Sequence, residues 1–107
     1  MKNQQKEVST SEEDATNCVF IGKKPTMSYV FAVTTQAQTQ KKIRIRARGR
    51  SISKAVDVSQ IALHRFLNGW KLFEVLVGTQ EKQVESPEGV AQTDRVSYID
   101  IIIKNES

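Results

Sequence analysis

The chain has 107 residues, a charged fraction of 26% and a net charge of +4, the profile of one small globular domain with a basic bias. No window approaches the roughly 18–20 apolar residues of a membrane span, and the opening MKNQQKEVSTSEEDATN lacks the apolar stretch of a signal peptide. One cysteine, Cys18, excludes an internal disulfide and suits a reducing compartment, so a cytoplasmic location with no membrane partner is expected.

Residues 1–16 are polar and carry Glu7, Glu12, Glu13 and Asp14 against Lys2 and Lys6. They hold too little apolar surface to offset the entropy of ordering and are read as a flexible acidic tail, with the domain spanning residues 17–107. The run CVFIG, closed by Gly22, predicts a buried strand. Pro25 suits a first helical turn, and Met27, Val30, Phe31, Thr34 and Ala37 recur at helical spacing, which predicts a helix over 26–40 with those residues inward. In KIRIRAR, Ile43, Ile45 and Ala47 alternate with Arg44, Arg46 and Arg48, the period of a strand with one buried face. Gly49 ends it. Ser51 or Ser53 can cap a second helix, whose apolar stripe is Ile52, Ala55, Val56, Ser59, Ala62, Leu63 and Phe66, stopped by Asn68-Gly69.

A third strand from Trp70 to about Gln83 alternates Phe73, Val75 and Val77 against Leu72, Glu74 and Leu76. After turn material at Pro87 and Gly89, RVSYIDIIIK predicts a fourth strand, with Ile99, Ile101 and Ile103 on one face and Tyr98, Asp100 and Ile102 on the other. The order βαβαββ predicts an α+β two-layer sandwich: a four-stranded mixed sheet with two helices on one face and a long closing hairpin.

No catalytic constellation is visible. His64, the single histidine, lies mid-helix with no nucleophile or orienting partner indicated, and reads as a surface or interface residue. Cys18 begins a buried strand. No CxxC or HxxxH pair signals a metal, no glycine-rich loop signals a nucleotide cofactor, and no enzyme activity is expected. The positive signal is charge. Lys41–Lys54 contains seven basic side chains and no acidic one. Arg44 and Arg46 can be structural, because Asp100 on a neighbouring strand could pair with one of them, and Lys54 reads as solvated. Arg48 and Arg50 flank Gly49 at a strand end, and Lys23 and Lys24 leave another. Strands of a βαβ unit are parallel, so both ends meet on one rim, which also presents two helix N-termini suited to phosphate. The rim therefore reads as a polyanion site. With Phe20, Phe31, Phe66 and Phe73 all assigned to apolar faces, no stacking platform for single strands is expected, and duplex binding with little sequence preference is favoured.

Two long stretches, IGKKPTMSYVFA and IRARGRSISKAVDV, followed by RFL and RVSYIDI, resemble the Alba family of archaeal chromatin proteins over about Asn17–Lys104. The resemblance implies a fold like the C-terminal domain of translation initiation factor three. It implies a homodimer that coats and compacts double-stranded DNA without sequence specificity and also binds RNA, in association with the chromosome. It maps nucleic-acid contacts onto Lys23, Lys24, Arg46, Arg48, Arg50 and Asn17, a possible acetylation site onto Lys23, and a dimer–dimer contact onto Phe66. The hairpin departs from the family pattern. It is longer and carries Glu81, Glu85, Glu88 and Asp94 against Lys82, so Arg95 at its base is the expected contact there. The rival readings are a protein for structured RNA or a ribonuclease P-type assembly, and an interaction module whose basic face meets an acidic protein.

Overall fold

The computed structural model describes residues 17–107; the expected tail, residues 1–16, lies outside the described residues. The elements are β1 (Cys18–Phe20), α1 (Thr26–Ala37), β2 (Lys42–Arg48), α2 (Ile52–Ile61), β3 (Trp70–Glu85) and β4 (Ala91–Asn105), in the expected order. They form one four-stranded sheet with strand order β1-β2-β4-β3. β1 runs parallel to β2, with Phe20 beside Arg46. β4 lies antiparallel to both β2 and β3, pairing Ile45 with Ile101 and Arg46 with Asp100. The alternation in KIRIRAR is what sets this register: sliding either strand by one residue would turn three arginines into the core.

Ile43, Ile45, Ala47, Ile99, Ile101 and Ile103 present a continuous apolar surface to Val30 and Val33 of α1 and to Ala55, Val58 and Ala62 at α2, with Trp70 closing one end. Each fully buried aliphatic side chain of this set contributes about 1.5–3 kcal/mol. Small residues on α2 let it lie close to the sheet. Among the described residues no helix is long and apolar enough to cross a membrane.

Several details depart from the expected pattern. α1 buries Val30 and Val33, while Met27 and Phe31 are exposed, because Thr26–Ala37 carries more apolar groups than one helix face can hold. It ends at Ala37, three residues before Gln40, as the sequence turns polar. α2 buries Ala55, Val58 and Ser59 but leaves Val56 exposed, then widens into a π-helical turn over Ala62–Phe66 that Gly69 terminates with φ of 83°. Ser51 stands at the cap position of α2 without a side-chain cap bond. A bulge between Leu72 and Glu74 shifts β3 by one residue. Leu72, Val75 and Val77 consequently share a face, opposite Ile103, Ile101 and Ile99. Phe73 turns to the other side, where the ammonium groups of Lys42 and Lys104 lie 5.4 and 4.9 Å from its ring centroid.

The β3–β4 hairpin is longer than the rest of the sheet. Its last level shared with β2 is Tyr98, which pairs with Arg48 and with Gly78. Thr79–Glu85 and Ala91–Ser97 continue beyond that level as a two-stranded arm, which seven residues of strand extend by about 23 Å.

Candidate nucleic-acid interface

Because β1 and β2 are parallel, their C-terminal ends open on the same rim, and the hairpin arm projects from that side as well. Lys23 and Lys24 occupy the connection leaving β1. Arg48 ends β2, and Arg50 follows in a single 3-10 turn, Gly49–Ser51. All four are exposed. Gly49 takes φ of 56°, a left-handed conformation that lets the chain leave the strand and enter α2 within three residues. Neither helix start has a side-chain cap bond or an acidic residue in its first turn, so no carboxylate competes with an anion there, although the Ile52 N–H already donates to the Gly49 carbonyl and the Ser28 N–H to that of Pro25.

The Lys23–Lys24 connection is held from beneath. Tyr29 Oη accepts hydrogen bonds from the backbone N–H groups of Gly22 (2.9 Å) and Lys24 (3.0 Å). Lys54 Nζ donates to the carbonyls of Gly22 (3.1 Å) and Lys24 (2.7 Å), and lies 5.8 Å from the centre of the Tyr29 ring. Lys54 is therefore not simply solvated, as its sequence context implied. It is half-buried and spans from α2 to the loop, fixing the path of two exposed lysines. Tyr29→Phe removes an acceptor without changing any charge. It is expected to lower duplex affinity about 3- to 10-fold, the loss of one or two ordinary hydrogen bonds. The slope of affinity against salt should stay unchanged, and amide exchange at Lys24 should quicken. A change in slope would mean that the loop bonds do more than position charge.

The other sequence candidates fall differently. Arg46 donates through Nε to Asp100 Oδ1 (2.6 Å) and through Nη2 to Oδ2 (2.9 Å), and Arg44 donates through Nη1 to the same Oδ2 (2.9 Å). The expected cross-strand pair thus forms with both arginines. Asp100 is 3% exposed, whereas the Arg46 side chain keeps 41% of its surface open on the face of the sheet away from the helices. Burial pushes the Asp100 carboxyl up, but the hydrogen bonds and charge of Arg46, then those of Arg44, outweigh it and hold the group below its ordinary value. Arg46 is thus first a structural partner and only secondarily able to meet a ligand.

Asn17 precedes β1 at the end remote from the rim. It sits level with the start of β2, and its Nδ2 donates to the Lys42 carbonyl at 2.9 Å. It is level with Ile43, so about five residues of strand, some 17 Å, separate it from Arg48. Arg95 is not at the base of the hairpin but three residues out along the arm, where its Nε donates to Glu81 at 3.1 Å between two well-exposed side chains. Such a pair is weak and exchangeable. Phe66 is exposed in the π-helical turn and meets Phe31 edge to face at 6.2 Å. His64 is exposed, with Nε2 3.2 Å from Gln60 Oε1. Cys18 is buried.

The placing of the phenylalanines is a clear correction. Phe20, Phe31, Phe66 and Phe73, all assigned to apolar faces, are each about half exposed or more. Two of them, Phe20 and Phe73, lie on the open side of the sheet. No helix covers that side: Phe20 points there from a run read as wholly buried, and Phe73 is turned there by the bulge, away from Val75 and Val77, with which its alternation had grouped it.

The Alba family model matches residues 17–80. The chain belongs to the Alba family. It is 42% identical over 89 residues to a protein of Picrophilus torridus named DNA/RNA-binding protein Alba, which covers 81% of this chain and 93% of that protein. An Archaeoglobus fulgidus protein named in the same way is 43% identical over 90 residues, or 83% of this chain and 96% of its own. The solved structure of Alba from Thermoplasma volcanium superposes with a TM-score of 0.68 at 42% identity, covering 82% of this chain and 99% of that one. An Alba protein of Trypanosoma brucei shares the fold at 17% identity, with a TM-score of 0.63. The Alba match ends at residue 80, two positions beyond the level where the arm of this chain leaves the sheet. The four carboxylates of the arm lie past that point.

Proposed function

We propose that this protein binds DNA and RNA without sequence specificity, as a homodimer that coats and compacts chromosomal duplex, and that it is not an enzyme. The observation that carries the reading is the rim. Lys23, Lys24, Arg48 and Arg50 are exposed side by side, and the loop bearing the lysines is pinned at four backbone groups. Cations on a fixed scaffold meet phosphates without first losing loop entropy, and phosphate contacts position a protein without reading bases. The names of the archaeal relatives, DNA/RNA-binding protein Alba, support the same activity.

The dimer reading draws support from β3. Leu72, Val75 and Val77 extend the apolar core face past the last helix, and Val77 is 74% exposed. A row of uncovered aliphatic residues on an edge strand favours burial against a second copy. Phe66 beside Phe31 forms a separate exposed aromatic pair suited to contacts between dimers along a duplex. Lys23, exposed in the rim loop, is the proposed site of acetylation, which would remove one positive charge per subunit. The place of action is then the chromosome within the cytoplasm.

In the test, equal-length duplexes of unrelated sequence are titrated over a salt series, with the oligomeric state followed by sedimentation. A dimer neutralising roughly six phosphates should give a log–log slope of about −5 on every sequence. A slope near zero, or strong preference for one sequence, would overturn the reading.

A further inference from the structure

The face of the sheet away from the helices carries an arrangement that duplex binding at the rim does not use. Phe20, on edge strand β1, is 60% exposed there. Arg46 lies beside it and Arg48 two residues on. Arg48 Nη1 donates to Gln80 Oε1 at 3.1 Å, bridging from β2 to β3 across β4. Between them stands Tyr98, whose ring lies flat across Gly78. A Cβ at that glycine would come within 2.6 to 2.8 Å of Tyr98 Oη, Cζ and Cε2, so only glycine allows the ring to take this position. Two adjoining hollows result. One of about 280 Å³ is lined by Arg46, Arg48, Thr79, Gln80 and Tyr98, and one of about 190 Å³ by Phe20, Ile21, Arg46, Ala47, Arg48 and Gln80. Both are below the roughly 300–1,000 Å³ of a drug-sized site, which leaves room for a planar ring system rather than a larger ligand.

We propose that this open face is a nucleobase platform for single-stranded nucleic acid, with Phe20 and Tyr98 offering ring faces to unpaired bases. Arg46, Arg48 and Gln80 border the same hollows. Each guanidinium can stack or donate, and the Gln80 amide can donate and accept along a base edge. Phe73, with the ammonium groups of Lys42 and Lys104 near its ring farther down the same face, adds a further aromatic–cation group to the sheet. A duplex keeps its base faces sealed in the stack and cannot use these rings; a single strand can. Arg48 stands at the corner of platform and rim, so a strand lying on the face can carry its phosphates over the edge towards Lys23 and Lys24. The platform rests on the proposed nucleic-acid function and shares Arg48 with the rim, but its ring-bearing surface is its own.

The test compares binding of an unstructured RNA of about twelve nucleotides, the DNA of the same sequence, and a duplex of that length. The variants are Phe20→Ala, Tyr98→Leu and Tyr98→Phe. Phe20 is outside the core, and leucine at 98 keeps Gly78 covered, so both variants should fold. Phe20→Ala and Tyr98→Leu should each weaken single-strand binding about 10-fold, whereas Tyr98→Phe, which keeps the ring, should bind as the parent does. Duplex affinity should stay within about 2-fold in all three, because the rim retains its charges. Loss on RNA alone would assign the platform to that sugar, and loss on both single strands to the bases. Single-strand affinity that is absent in the parent or unchanged in both ring-removing variants overturns the platform, as does an equal loss on duplex. Failure of the rim reading is separate: the parent would then show no salt-dependent duplex binding.

Discussion

Lys23→Ala/Lys24→Ala should strip duplex binding of most of its salt dependence. Each dimer loses four cations from a loop whose backbone is held by Tyr29 and Lys54, so the scaffold survives and only charge is removed. Each phosphate contact adds about 0.9 to the log–log slope on duplex DNA, so a slope near −5 should fall to about −2 if all four lysines make contact. At about 0.1 M salt the affinity loss should be roughly 100-fold or more. Lys41→Ala serves as the control. It removes an exposed cation from the opposite end of β2, and should leave the slope within about one unit. An unchanged slope in the double variant would remove the rim as the binding surface. Equal losses in the double variant and the control would mean that net charge, not its placement, governs binding.

Much of this geometry was readable from the chain because strand patterns are local. Alternation in KIRIRAR and in YIDIII fixed which side chains enter the core. Antiparallel pairing then brought Asp100 to the arginines. The convergence of Lys23, Lys24, Arg48 and Arg50 followed from the parallel β1–β2 pair that a βαβ unit enforces. The features that sequence could not supply depend on what covers a face, or on contacts between residues far apart. Phe20 occupies an apolar position in an alternating strand, yet no helix lies over that side of the sheet. Phe73 changes sides because of one extra residue at Leu72–Glu74, and no local residue choice signals that bulge. Lys54 reaches the carbonyls of residues thirty or more positions earlier, so a lysine in a first helical turn gave no sign of its role in holding the loop. Val30 and Val33 rather than Met27 and Phe31 face the core because packing against the sheet selects the smaller β-branched pair from an over-supplied helix.

Asp100→Asn should cost the fold about 2–4 kcal/mol at neutral pH, measured by urea unfolding. The parent carboxylate accepts three hydrogen bonds from two guanidinium groups while almost wholly buried. The amide keeps the shape but offers one acceptor oxygen and no charge. Its nitrogen must then face guanidinium donors, and the two arginines repel each other without an anion between them. Removing one partner from a buried ion pair costs about 3–5 kcal/mol, and the partial exposure of Arg46 to water places this case lower. The pH dependence has a defined sign. The folded carboxyl titrates below its ordinary value of 3.8, so between those two values the unfolded chain holds a proton that the folded chain does not. The stabilisation is therefore complete above about pH 5 and shrinks as pH falls through 3.8 towards the folded value. Parent and Asp100→Asn should differ most near neutrality and converge in acid. An equal gap at pH 3 and pH 7 would show that the mismatched amide hydrogen bonds, not the loss of the carboxylate charge, account for the cost. The same variant separates structure from binding at Arg46. With the anion gone, each subunit gains one net positive charge on the open face. Single-strand affinity in the folded variant should then rise even as stability falls, which no purely structural role for the Arg46–Asp100 pair would produce.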